Sequence, residues 1–204
     1  MISEPRLSKA RDRLLGTASA LFYADGIRSV GVDRVIFEAS VTRATFYRHF
    51  PGKESLVVAY LEDVDRAARQ HADDLADRNP DATAWLREFT RSTGQRLCTP
   101  NFRGCPFINA AAEYPEPASP VRQAVLVHRR WLEVSVTEAF RRAGHPEPVG
   151  AARHWVVLRD GAMVAAYLDD PATARDTLNS GVDTLLSACG LKLNVRRRGQ
   201  VARY

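Results

Sequence analysis

Twelve consecutive residues carry the densest chemistry in the chain: Thr42-Arg43-Ala44-Thr45-Phe46-Tyr47-Arg48-His49-Phe50-Pro51-Gly52-Lys53. Thr42 has the side chain expected of an N-cap, so a short helix should begin at Arg43. Phe46 and Phe50 then turn inward with Val35 and Val41. Arg43, Thr45, Tyr47, Arg48 and His49 remain as polar or amphipathic groups on the helix surface. A helix of this kind can enter the major groove of DNA, its amino-terminal residues reaching base edges. Arg43, at its start, suits bidentate pairing with guanine. Tyr47 and His49 are better placed for phosphates, which fix register and carry no sequence information directly. Lys53 follows Pro51-Gly52 and falls in the first turn of the next expected helix. A cation there opposes the helix dipole at a cost of roughly 0.3–1 kcal/mol. A bound phosphate would use both the lysine and the free backbone N–H groups.

A second set of residues could line a small-molecule cavity between helices: Cys105, Phe107, Asn109, Trp131, Arg159 and Met163, with Trp85, Phe89, Phe102 and Tyr114 as further aromatic candidates. Ordinary core packing accounts for the same residue types. Cys105 precedes Pro106 at an expected helix start, with Arg103 nearby, a setting that favours thiol reactivity. The alternative is a small buried hydrophobe. Enzyme chemistry finds little support. The five histidines, His49, His71, His128, His145 and His154, form no metal-ligand spacing. There is no glycine-rich phosphate loop and no nucleophile elbow, so neither cofactor nor metal is expected.

The elements that must position these groups read as helices. Long proline-free stretches carry apolar residues at three- and four-residue steps. Leu7, Leu14, Ala18, Leu21 and Phe22 mark the first, which Asp25-Gly26 should stop. Two short helices, about 32–39 and 43–50, flank Ser40-Val41-Thr42. From Lys53 the stripe is Val57, Tyr60, Leu61, Val64, Ala68, His71 and Leu75. Near the end it is Leu178, Val182, Leu185, Leu186 and Cys189. Residues 151–168 are apolar on more than one face and must be covered on more than one side. In the proline-rich segment 99–120, residues 106–114 could form a short helix with Pro106 at its tolerated first position. The expected fold is all-α, with a basic head carrying a helix-turn-helix (residues 1–53), a helical body (54–190) and a basic tail (191–204).

Charge supports that division. The 204-residue chain has a formal net charge of +5, but residues 1–53 hold nine basic and five acidic side chains, and residues 54–190 hold fifteen and nineteen. The tail supplies Lys192, Arg196, Arg197, Arg198 and Arg203 with no acid. A basic head on an acidic body is the footprint of a nucleic-acid reader, and it disfavours docking DNA the wrong way round. The longest apolar run, 162–168, is far too short for a membrane span. Three cysteines, Cys98, Cys105 and Cys189, make no disulfide scaffold, and a reducing cytoplasm fits best.

Residues 8–60 resemble the DNA-binding domain of the tetracycline-repressor (TetR) family of bacterial transcription regulators. The run Thr42 to Lys53 carries the likeness, supported by Asp25-Gly26 and Val32-Asp33-Arg34-Val35. The resemblance implies an amino-terminal three-helix helix-turn-helix DNA-binding domain over residues 1–53, with DNA contacts by Thr42, Arg43, Thr45, Tyr47, His49 and Lys53, and a helical ligand-binding and dimerisation domain over 54–190. Two departures stand out: Ser40 where the family usually has glycine, and Gly52 where a serine-like cap is common. The family also implies a homodimer built from the last two long helices, about 150–169 and 172–189. That would explain the apolar excess from Trp155 to Leu168, as would a helix fully buried within one protomer. Two reading heads imply an inverted-repeat operator on double-stranded DNA, its half-sites about 34–36 Å apart or a multiple of that. The implied function is a repressor released by a small-molecule effector. The alternative is a helix-turn-helix regulator without such an effector, acting through a protein partner. An all-α enzyme with a merely structural head is a third class.

Overall fold

The computed structural model of the chain describes residues 4–190, with side chains from residue 9. The basic tail lies outside the described residues. Nine α-helices and no strand occur among them: α1 Glu4–Asp25, α2 Val32–Glu38, α3 Arg43–His49, α4 Lys53–Arg78, α5 Ala82–Leu97, α6 Pro106–Glu113, α7 Pro120–Arg142, α8 Pro148–Leu168 and α9 Pro171–Leu186.

The helix ends follow local chemistry. Gly26 stops α1 at φ 89°, a conformation that costs glycine little. Thr42 caps α3, its hydroxyl accepting from the Thr45 amide at 3.1 Å. Asp81, Ser119 and Asp170 cap α5, α7 and α9 in the same way. Pro106, Pro120, Pro148 and Pro171 each open a helix, where the missing N–H has no intrahelical partner to lose. Ser40 takes the left-handed conformation, φ 52°, that the turn between α2 and α3 demands. Gly52 is extended, and Ser55 supplies the polar contact there, its hydroxyl accepting from the Gly52 amide at 3.3 Å.

Two apolar clusters hold the chain. The first joins α1, α2, α3 and the amino-terminal half of α4 to α6, the start of α7 and the later part of α8. Leu14, Ala18, Val30, Phe46, Leu56 and Leu61 are sealed within it. The second lies at the far end of the body, among the end of α4, α5, α7, α8 and α9. Its spine is a stack of rings, Trp85 on Phe89 at 4.8 Å and Phe89 on Trp155 at 5.6 Å. Both indoles are satisfied, Trp85 by the Ala72 carbonyl and Trp155 by the Thr90 hydroxyl. Helix α4 belongs to both clusters, so it is the beam between head and body.

Two expectations need correction. On α4 the carboxy-terminal stripe runs through Ala72 and Leu75; His71 points outward and meets Ser92. On α8 the apolar excess is divided between two sides. Trp155 and Met163 are buried in the protomer, whereas Val157, Val164, Tyr167 and Leu168 are exposed. The surplus from Trp155 to Leu168 is therefore half core and half open face. Helix α9 packs beside that face.

Candidate nucleic-acid interface and effector cleft

Helix α3 is held by its apolar side and presents the rest. Phe46 is fully buried, and Phe46 and Phe50 lie ring to ring at 6.0 Å. Tyr47 stands half out of the surface. Arg43 and Thr42 are exposed at the helix start, with Thr45 half-buried one turn on. Arg43 reaches back to an ion pair with Asp33 in the first turn of α2. The starts of the two helices are thus linked through the side chain best suited to guanine.

His49 and Lys53 differ from their expected surface roles. His49 is half-buried, and its Nε2 is shielded from solvent without a hydrogen-bond partner. Burial first, then the Arg48 and Arg11 charges, lower its pKa. In this conformation that nitrogen is not available to a phosphate. Lys53 is not a free cation at a helix start: its Nζ donates to the Arg28 carbonyl at 3.2 Å. Burial lowers its pKa, partly offset by Glu113.

That contact belongs to a clamp between head and body. Glu113, the last residue of α6, accepts from the amides of Ile27 and Arg28 just beyond α1. The turn 27–28 is therefore held by α6 through its amides and by Lys53 through its carbonyl. A second tie is Tyr23, whose hydroxyl accepts from the Arg103 amide at 3.0 Å and donates to the Gly104 carbonyl at 3.1 Å. A third joins the start of α7 to the start of α4, Ser119 donating to Glu54 at 3.0 Å. Sequence reasoning passed over Tyr23 and Glu113 as functional groups, because their partners lie 80 or more residues away.

Beside these ties lies a cleft of about 260 Å³. The head contributes Phe22, Tyr23, Asp25 and Gly26; the body contributes Arg103, Cys105, Ile108, Asn109, Met163 and Tyr167 among others. Gly104, at φ 81°, turns the chain into it. Asn109 fixes that turn, donating to the Arg103 carbonyl at 2.8 Å. The Arg103 guanidinium sits over the Tyr167 ring at 5.3 Å.

The candidate ligand residues separate here. Cys105, Asn109 and Met163 line this cleft. Phe107 does not; it stacks on His128 with ring centroids 3.6 Å apart and lines a wide groove along α7 and α8. Trp131 lies in a different hollow with Trp85 and Ala72, beneath the Arg69 guanidinium. Arg159 is buried. It donates to Asp160 at 2.7 Å and to the Cys105 sulfur at 3.5 Å. The cation against Cys105 is therefore Arg159 and not Arg103. Of the further aromatic candidates, Trp85 and Phe89 belong to the ring stack of the second core, while Phe102 and Tyr114 pack against the first. No group of three or more potential metal ligands occurs among the described residues.

Comparison with known proteins decides the family. Residues 14–60 match the model of bacterial regulatory proteins of the tetR family. The crystal structure of SCO4454, a TetR-family transcriptional regulator from Streptomyces coelicolor, is 48% identical, with a TM-score of 0.87 over 90% of this chain and 97% of its own. The chain is a TetR-family transcription regulator. The HTH-type transcriptional regulator LmrA of Bacillus subtilis is 28% identical over 141 residues, covering 68% of this chain and 74% of LmrA. Reduced NemR from E. coli, at 20% identity and a TM-score of 0.78 over 89% of this chain and 100% of its own, shares the fold. TetR-family regulators bind DNA, act as dimers and are not enzymes. No helix among the described residues is long and apolar enough to cross a membrane.

Proposed function

We propose that this TetR-family regulator is a repressor, released from an inverted-repeat operator by a small molecule bound in the cleft between head and body. The observation that carries the reading is the composition of that cleft: α1 of the head and α6 and α8 of the body share its wall. A ligand there touches both parts, so its binding energy can differ between head orientations. Only such differential binding shifts a conformational equilibrium. A tenfold release needs about 1.4 kcal/mol of it.

In this reading residues 1–53 are the head, with Arg43 reading a base and Thr42, Thr45, Tyr47 and Lys53 on the backbone. His49 joins them only if its ring turns outward. Residues 54–190 are the body, in which the exposed strip Val157, Val164 and Leu168 of α8, with α9 beside it, meets a second copy. Symmetric copies place two heads on two half-sites about one DNA turn, ~34–36 Å, or a multiple of it apart. The site of action is the cytoplasm, where chromosomal DNA lies.

The test is a gel shift on DNA flanking the regulator's own gene, followed by a screen for compounds that abolish the shift. A sequence-specific shift lost on adding a compound supports the reading. A specific shift that no compound alters, but a protein from the cell does, replaces it with a partner-controlled regulator. Cys105 takes part as a thiol sensor only if Cys105→Ser abolishes release by thiol-reactive compounds. Its burial, at 3% exposure, leaves such reagents little access in this conformation.

A further inference from the structure

Phe37 is the most exposed large apolar side chain among the described residues, 82% open to solvent. Its position on α2 gives that exposure a direction. The inner side of α2 is fixed by Val35, with Ala39 at its end, both buried, and by Val32 and Ile36, packed partly into the first core. The outer side divides into two strips of residues four apart, which lie on one helix face. Arg34 and Glu38 form one. They pair with each other at 2.8 Å, and Arg34 also holds Asp25 at the end of α1. That strip faces α1.

Asp33 and Phe37 form the other strip. Asp33 receives Arg43, the first residue of α3. The Arg43 side chain therefore runs back along the side of α2 on which Phe37 stands. Immediately beyond Phe37 the chain makes the left-handed turn at Ser40 and enters Thr42, the α3 cap. The exposed ring is thus continuous with the surface that delivers Arg43, Thr42 and Thr45. It does not belong to the open face of α8 or to the exposed residues of α7.

We propose that Phe37 is a specificity residue that packs against the C5-methyl group of a thymine beside the base read by Arg43. The thymine methyl is the apolar feature of the major-groove edge, and an aromatic or small apolar side chain is its natural complement. A ring left in water in the free protein gains from burial when DNA arrives. The inference rests on the assignment of α3 as the reading helix.

The probe is a duplex selected from a randomised library by the full chain. Each thymine is replaced by deoxyuridine, symmetrically in both halves, which removes only the methyl group. Dissociation constants are measured by fluorescence anisotropy at fixed salt for wild type, Phe37→Ala and Phe37→Leu. At one thymine per half-site, deoxyuridine should weaken wild-type binding by about threefold to tenfold. Phe37→Ala should bind the two duplexes equally, at the wild-type level for deoxyuridine, and Phe37→Leu should keep part of the discrimination. Thermal melting of Phe37→Ala should match wild type, since the ring packs on little. Two results overturn the contact alone: Phe37→Ala binding as tightly as wild type, or a methyl penalty the same in wild type and Phe37→Ala at every thymine. Binding unaffected in Phe37→Ala points instead to a protein docking on the ring. A selected pool with no common sequence overturns the reading of α3 and this contact with it.

Discussion

The reading helix and the cleft are built in opposite ways. Every residue proposed to meet DNA lies within 42–53, plus Phe37 just before it. Thr42 caps the helix, Phe46 and Phe50 anchor it, and the remaining side chains point where a seven-residue helix must point them. The cleft draws on three segments far apart in the chain, 22–26, 103–113 and 163–168. Its shape depends on how α1, α6 and α8 meet. A surface built from one short helix can change its specificity without changing the core. A cleft between elements cannot change without altering the contacts that set the head on the body.

The largest test of that contrast is in the second core. Trp155 is completely buried, and its indole both stacks on Phe89 and donates to Thr90. Trp155→Ala should cost about 3–5 kcal/mol in urea unfolding, the range for deleting a buried aromatic ring. The head packs in the other cluster. Below its melting temperature the variant should therefore keep the wild-type ratio of affinities for selected and random DNA. A changed ratio would show that base reading is not confined to the head.

Next is the His128 site, which belongs only to the body. His128 stacks on Phe107 and its Nδ1 lies 2.7 Å from Asp65. Burial outweighs the carboxylate and pushes its pKa down to about 4 from 6.5. Above pH 6.5 the ring is neutral in both folded and unfolded chains, and no stability is lost. As pH falls from 6.5 to 4 the unfolded chain takes up a proton that the folded chain excludes, so stability drops. Below 4 both forms carry it and this contribution levels off. The total is about 3 kcal/mol. Urea melts of wild type and His128→Gln across that window should show the extra slope in wild type alone. Equal slopes would mean that the folded ring takes up its proton as the unfolded one does, with Asp65 offsetting burial.

Within the head the effects should be smaller and sorted by partner. Arg43→Ala should cost about 1–3 kcal/mol on the selected duplex and relax preference at one position of each half-site. Tyr47→Phe should cost less if its hydroxyl meets only a phosphate; a larger loss would reverse that ordering. Lys53→Ala should weaken all duplexes alike and flatten the salt dependence. Because Lys53 also holds the Arg28 carbonyl, the same variant should loosen the turn at 27–28. A base-selective defect would contradict the phosphate role.

Legibility in the sequence follows the same division. Local rules were enough for the Gly26 stop, the Thr42 cap and the Pro106 start of α6, because each depends on residues within one turn. The family likeness rested on one such stretch. Of the six residues put forward for a cavity, Cys105, Asn109 and Met163 line the cleft, whereas Phe107, Trp131 and Arg159 lie elsewhere in the fold. Residue type marks an aromatic as fit for a core or a cavity and does not distinguish them. The Lys53 partner was hidden for another reason. Its acceptor is a backbone carbonyl 25 residues upstream, and every residue has one.

The smallest effect tests whether the two regions communicate. Tyr23→Phe removes one hydroxyl that both accepts from the Arg103 amide and donates to the Gly104 carbonyl. The ring stays, so packing is unchanged, and the expected loss of stability is about 1 kcal/mol, the net value of a typical hydrogen bond. Tyr23 lies outside α3, so base preference on the selected duplex should be that of wild type. What should change is the position of α1 against the loop at 103–104. If that contact holds the head in the DNA-binding orientation, the variant binds operator more weakly by about the same 1 kcal/mol, or fivefold, and a releasing compound acts at lower concentration. Unchanged operator affinity together with unchanged release would place the coupling elsewhere, in the Glu113 clamp on Ile27 and Arg28. Glu113→Gln then separates the two, since the amide keeps an acceptor for one of the two backbone donors while losing the charge that faces Lys53.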